Sequence, residues 1–233
     1  MRPNDMWKMY RLRLHRDGWP FVIGFAVVSL LLGSFHAALG WLGLIGTLWC
    51  GWFFRDPDRV VPTRAGLVVS PADGVVHAVE AVEPAPEFGL PAEIHTRISI
   101  FLDIFNVHVN RIPIAGTITE LVYRPGKFFN ASLDKASEFN ERQAVCITTV
   151  EGQAIGLAQI AGLVARRIRC DLHRDQQVET GERFGIIRFG SRVDLYLPQG
   201  VGPLVVAGQK VIGGETVLAD LHSSESARAG EIR

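Results

Sequence analysis

From Gly18 to Phe54 the chain carries no Asp, Glu, Lys or Arg, and His36 is the one side chain there that titrates near neutrality. A soluble core helix rarely runs that far without a charge, so the stretch needs either a protein interior or a bilayer. One straight membrane span takes about 20 apolar residues. This run is too long for one span and a little short for two generous ones. Gly33-Ser34-Phe35-His36 is the natural break, which predicts two apolar helices, Trp19–Leu32 and Ala37–Phe54. They would form a membrane-associated hairpin over 19–54 that dips into or just crosses the bilayer. Trp7, Trp19, Trp41, Trp49 and Trp52 suit an interface where a ring is half wet. Arg2, Lys8, Arg11, Arg13 and Arg16, against Asp5 and Asp17, make residues 1–18 basic. That start favours the cytoplasmic side and anionic lipid. The long apolar part fits a cleavable signal peptide poorly. The alternative is a hydrophobic hairpin buried in a soluble fold.

Charge and proline return together at Arg55-Asp56-Pro57-Asp58-Arg59, where a helix should end before Pro57. Residues 55–233 then read as one domain of short strands. The expected strands are Leu67–Ser70, Val75–Val79, Arg97–Leu102, Val107–Ile112, Gln143–Thr149, Ala154–Ile160 and Arg166–Ile168, then Phe184–Ile187, Val201–Val206, Gln209–Ile212 and Glu215–Ala219. Glycine is frequent between them. The pattern predicts a mainly β (α+β) fold, a β-sandwich or distorted barrel, behind the helical hairpin. Formal net charge is zero and gives no sign of a nucleic-acid partner. Cys50, Cys146 and Cys170 are odd in number and form no C-x-x-C, which argues against a disulfide framework or zinc site and fits a reducing compartment.

Gly190-Ser191 joins two strand-like pieces. Beyond it Val193, Leu195 and Leu197 point one way and Arg192, Asp194 and Tyr196 the other, the pattern of a half-buried strand. By itself such a pair is a turn or bulge. Other blocks change the weighing: Ser70-Pro71-Ala72-Asp73-Gly74, His108-Val109-Asn110-Arg111-Ile112-Pro113, and Pro125-Gly126-Lys127-Phe128-Phe129-Asn130-Ala131-Ser132-Leu133-Asp134-Lys135-Ala136. Together with Phe184–Pro198 they closely resemble the short form of the phosphatidylserine decarboxylase family, in the same order and over nearly the whole length.

The resemblance implies that the Gly190–Ser191 bond breaks without hydrolysis. A large chain, 1–190, and a small one, 191–233, result, and Ser191 becomes a pyruvoyl (pyruvate) group. The residue types suit this: Ser191 Oγ is a nucleophile, and Gly190 lets the backbone bend towards it. The implied reaction takes phosphatidylserine of the bilayer to phosphatidylethanolamine through a Schiff base, at the cell membrane, with the catalytic domain on the cytoplasmic face. No metal is implied, and a homo-oligomer is left open.

Asp73 matches the aspartate of an Asp-His-Ser relay and His108 a histidine of the site. The long form of the family has a second histidine where this chain has Arg111. The base is then His108 or lies elsewhere, with His77 and His95 as spare candidates. Arg111 would pair with the substrate phosphate or carboxylate, and Lys127 and Lys135 with the head group, in a loop (123–142) whose aromatics meet lipid. Two rivals remain. Asp134-Lys135-Ala136 resembles the lysine hairpin of a lipoyl or biotinyl carrier domain, as does Val211–Ala219 its strands. Ser191 could serve a serine hydrolase, although the G-x-S-x-G elbow is missing.

Overall fold

The computed structural model describes residues 13–129, 139–162, 167–188 and 190–231. The chain divides into two compact units between Asp58 and Arg59.

The first unit is a helical hairpin. Helix α1 (Trp19–Phe35) follows a 3-10 turn, Arg16–Gly18, and starts with proline in its first turn, where a missing N–H costs nothing. Helix α2 (Ala37–Phe53) follows after His36 alone, whose backbone is extended and whose Nδ1 accepts from Ala38 N at 3.3 Å. The break is therefore one residue, not the four expected. Gly33 stays helical because it is a contact residue: a Cβ on Gly40 would lie 2.9 Å from Gly33 Cα. Ser29 Oγ donates to Gly40 O at 3.0 Å, and a Cβ on Gly43 would meet that hydroxyl. Small residues thus let the helices cross closely, as apolar helices do in lipid. The outward faces are apolar and exposed, among them Leu30, Phe35 and Trp41. Arg16–Phe35, 20 residues, is long and apolar enough to cross a membrane, whereas α2 is shorter.

The second unit is mainly β. Its strands are β1 (Leu67–Val69), β2 (Gly74–Val82), β3 (His95–Leu102), β4 (Val109–Arg111), β5 (Gly116–Arg124), β6 (Arg142–Thr148), β7 (Ala154–Ala161), β8 (Ile168–Cys170), β9 (Gln177–Val178), β10 (Arg183–Ile187), β11 (Ser191–Leu197), β12 (Lys210–Val211) and β13 (Val217–Asp220). Eight form one curled, half-barrel sheet in the order β12-β2-β3-β11-β7-β6-β5-β9. A three-stranded sheet, β4-β10-β8, and a pair, β1-β13, complete the unit. Alternate residues of the large sheet fill one core: Ile98, Ile100 and Leu102 of β3, Val193, Leu195 and Leu197 of β11, and Ile155 and Leu157 of β7. Phe184 and Ile187 of β10 join them.

Three expectations change here. Strand β5 was not expected; it absorbs the start of the polar stretch 123–142. Val201–Val206 is not a strand: Pro203 makes only an isolated bridge to Ala219, and proline has no N–H for a ladder. Most instructive, β11 is buried on both faces, with Arg192 at 1% and Asp194 at 0% exposure. Arg192 Nη2 donates to Asp194 Oδ2 at 2.9 Å, and Nε lies 2.8 Å from Oδ1. The segment around Pro86–Phe88 covers the neighbouring part of that face, where Phe88 packs on Tyr196 with ring centroids 4.7 Å apart. Burial, and after it the charge of Asp194, pushes the Tyr196 phenol up to about 12. Alternation counts polarity, and an ion-paired arginine and aspartate can be buried all the same.

Candidate active site

Strand β11 lies in the middle of the large sheet, and its first residue is Ser191, paired with Leu102 on one side and Ala161 on the other. Alternation turns the Ser191 side chain inward with Val193 and Leu195. The residue is 0% exposed, and Oγ has no hydrogen-bond partner among the described residues. A buried hydroxyl left unbonded is uncommon and calls for a chemical reason. Just before it, Gly190 has φ +66° and nothing within 4 Å of the place a Cβ would occupy. The left-handed backbone itself requires glycine there, since the space does not.

The other residues gather at this end of the sheet. Val75 pairs with Phe101, and Phe101 with Arg192. The turn carrying Asp73 is therefore two strands from Gly190, roughly 10 Å across the sheet. Asp73 is held firmly: Oδ2 accepts from Arg59 Nη2 at 2.7 Å and Oδ1 from Gly213 N at 2.8 Å. His108 is buried, and its carbonyl accepts from Ile187 N at 3.4 Å, just upstream of the Gly190 turn. Its Nδ1 lies 3.1 Å from Asn106 O. A carbonyl only accepts, so Nδ1 carries the hydrogen and Nε2 the lone pair in the neutral ring. His95 instead bonds Leu197 O at 3.0 Å, at the far end of β11 and roughly 20 Å from Ser191. His77 is exposed at a bulge of β2. Among the described histidines, His108 is the one at the Ser191 end.

The cations divide. Arg111 is buried and donates from Nη1 to Gly181 O at 2.9 Å, while its N–H bonds Pro71 O at 2.9 Å. Its backbone N–H braces the Asp73 turn, and the residue is 4% exposed. Lys127 is exposed, with Nζ 6.0 Å from the Phe129 ring. Lys135 lies outside the described residues, as does the carrier-like hairpin around it. The foot of that segment is clamped by buried Asn140, whose Nδ2 donates to Phe129 O at 2.8 Å and to Ala161 O at 2.7 Å. Ala161 is the sheet partner of Ser191.

Comparison with known proteins gives this geometry a lineage. A profile described as phosphatidylserine decarboxylase matches residues 47–219. A protein of Paramagnetospirillum magneticum is 60% identical over 220 residues, 94% of this chain and 92% of its own length. One of Cereibacter sphaeroides is 56% identical over 229 residues, 98% and 99% of the two chains. One of Rickettsia typhi is 57% identical over 217 residues, 93% and 92%. Each is named phosphatidylserine decarboxylase proenzyme. The chain belongs to the phosphatidylserine decarboxylase family.

For a member of that family, several residues of the Ser191 end escaped the sequence reading. Arg59, within the charged boundary run 55–59, anchors Asp73. Asn110 and Gln159 are fully buried, and Gln159 Nε2 donates to Asn110 Oδ1 at 2.8 Å. Asn110 follows His108 by two residues, and Gln159 precedes Ala161 by two. A glutamine inside the apolar run Ala154–Ala161 was the available signal, because a buried amide needs a partner.

Proposed function

We propose that this chain is a proenzyme that cuts itself between Gly190 and Ser191 and then decarboxylates phosphatidylserine to phosphatidylethanolamine. The observation that carries the reading is the Ser191 hydroxyl, buried and unbonded among the described residues, directly after a left-handed glycine. In the cutting step Oγ forms a bond to the Gly190 carbonyl carbon while the peptide C–N bond breaks, giving an ester. Loss of the Ser191 α-proton then expels the Gly190 carboxylate, and hydrolysis of the resulting enamine releases ammonia and leaves a ketone at position 191. The residues present fit such a group, at the head of β11 between Leu102 and Ala161. A pyruvoyl carbonyl supplies an electron sink for the carbanion left when an amino acid loses CO₂.

Asp73, fixed by Arg59 and the Gly213 amide, is assigned to the cutting relay. His108 Nε2 is assigned to proton transfer, its ring held by the Nδ1–H bond to Asn106 O. Lys127, and Lys135 eight residues further on, are assigned to the anionic head group. The apolar hairpin and the basic first residues support attachment to the cell membrane, with residues 55–233 on the cytoplasmic face.

The test is direct. Full-length protein is mixed with phosphatidylserine vesicles, CO₂ is measured, and intact masses are recorded. Two chains divided after Gly190, the small one beginning with a ketone, support the reading; an active protein with an unbroken backbone refutes it. His108→Ala is expected to lower turnover at least about 100-fold, the usual worth of a positioned acid–base group, and to slow cutting less. If His108→Ala instead fails to cut, His108 belongs to the relay.

A further inference from the structure

We propose that the Ser191 end of the second unit docks on the bilayer through the Ile104–Phe105 turn, flanked by Phe129, Phe139 and Ile212. The inference rests on the reading that the substrate is a diacyl lipid.

Register fixes the placement. Leu102 pairs with Ser191, and the chain turns immediately beyond it. Within that turn Asp103 Oδ1 accepts from Phe105 N at 2.7 Å, and Asn106 Oδ1 from Asp103 N at 2.9 Å. The polar side chains thus serve the turn's own backbone, while Ile104 is 43% and Phe105 61% exposed at the tip. Phe129 and Phe139, 42% and 47% exposed, stand on the same side of the sheet, at the foot clamped by Asn140. Exposed Ile212 follows β12 at that same end. Lys127 adds a cation beside Phe129. The opposite end of the sheet differs: exposed Val150 and Ile94 stand as single residues next to Glu151 and Glu93. Scattered apolar residues are ordinary on a surface, whereas several around one functional end are not.

The substrate decides the occupant. A lipid offering its head group near Ser191 keeps its acyl chains in hydrocarbon, so the surface around that end must face the membrane. Aromatic side chains beside a lysine suit the headgroup layer. A second copy of the chain seated there would cover the same end and shut the lipid out.

The test uses the full chain with Cys170→Ser, because Cys50 and Cys146 are buried. An environment-sensitive fluorophore is placed at Phe105→Cys or, as a control, at Val150→Cys. On phosphatidylcholine–phosphatidylglycerol vesicles the 105 probe should shift to the blue and be quenched by lipid-borne quencher, and the 150 probe should not. Both variants carry the same hairpin, so membrane attachment as such is common to the two. Matching probes overturn the proposal, as does a 105 shift that follows protein concentration without vesicles. The pair Ile104→Ser with Phe105→Ser should lower kcat/KM on phosphatidylserine vesicles about tenfold, by loss of apolar insertion. It should leave a water-soluble short-chain phosphatidylserine unaffected. Unchanged kcat/KM on vesicles also counts against docking. If the wild-type chain decarboxylates neither substrate, the proposed reaction falls, while the fluorescence still decides docking.

Discussion

Ser191→Ala is expected to yield a single uncut chain of 25.7 kDa and no CO₂ above background from phosphatidylserine vesicles. Alanine removes the oxygen that would attack the Gly190 carbonyl and nothing else of consequence. The change should not harm folding. Oγ is buried without a partner among the described residues, and such a hydroxyl carries a desolvation penalty of about 1–3 kcal/mol that alanine relieves. A cooperative thermal melt would separate lost chemistry from lost structure. Ser191→Cys keeps a nucleophile and should restore slow cutting through a thioester. Two chains from the alanine variant would sink the assignment. Labelling of an uncut, active wild-type chain by a fluorophosphonate would favour the hydrolase rival.

The second large effect concerns stability. In the uncut Ser191→Ala background, Asp194→Ala should destabilise the second unit by about 3–5 kcal/mol, because it takes away the carboxylate buried against the Arg192 guanidinium. Against a total stability of about 5–15 kcal/mol, that is a large share. For a unit of this size the melting temperature should fall by roughly 10 °C. Replacing both residues, Arg192→Met with Asp194→Leu, should recover most of the loss, since apolar side chains of similar volume often substitute for a buried ion pair. Urea melts of the three chains check the point. A cost below about 1 kcal/mol for the single change would mean that water reaches Arg192, as it does at surface pairs.

Much of this molecule was legible in its sequence, and the failures have physical causes. The hairpin was visible because charge is absent over a long run, a signal that survives without context. The β class was visible from alternation and turn residues. What alternation could not see was what lies on the second face: Arg192 and Asp194 read as solvent-facing because the packing that buries them comes from distant segments, although the pair itself is local. Strand β5 was missed because Thr117, Thr119 and Glu120 blur its period. Ser191, Asp73 and His108 stood out through motif resemblance, and the fold brings them to one end of the sheet. Arg59 and Gln159 carried no motif, Asn110 was only a spacer within one, and their contacts exist only once distant segments meet. The burial of Arg111 was equally hidden, because a cation beside a histidine reads as exposed until the segment around Gly181 packs on it.

The position of the Gly190–Ser191 bond bears on what maturation would do to the molecule. Residues 191–233 supply β11 to the centre of the large sheet, β12 to its edge and β13 as the partner of β1. A nick ahead of β11 would free a fragment already laced through three separate seams. It could leave only if the domain came apart, so the break would behave as a one-way latch: the covalent link goes, and the two pieces stay wedded for the lifetime of the fold.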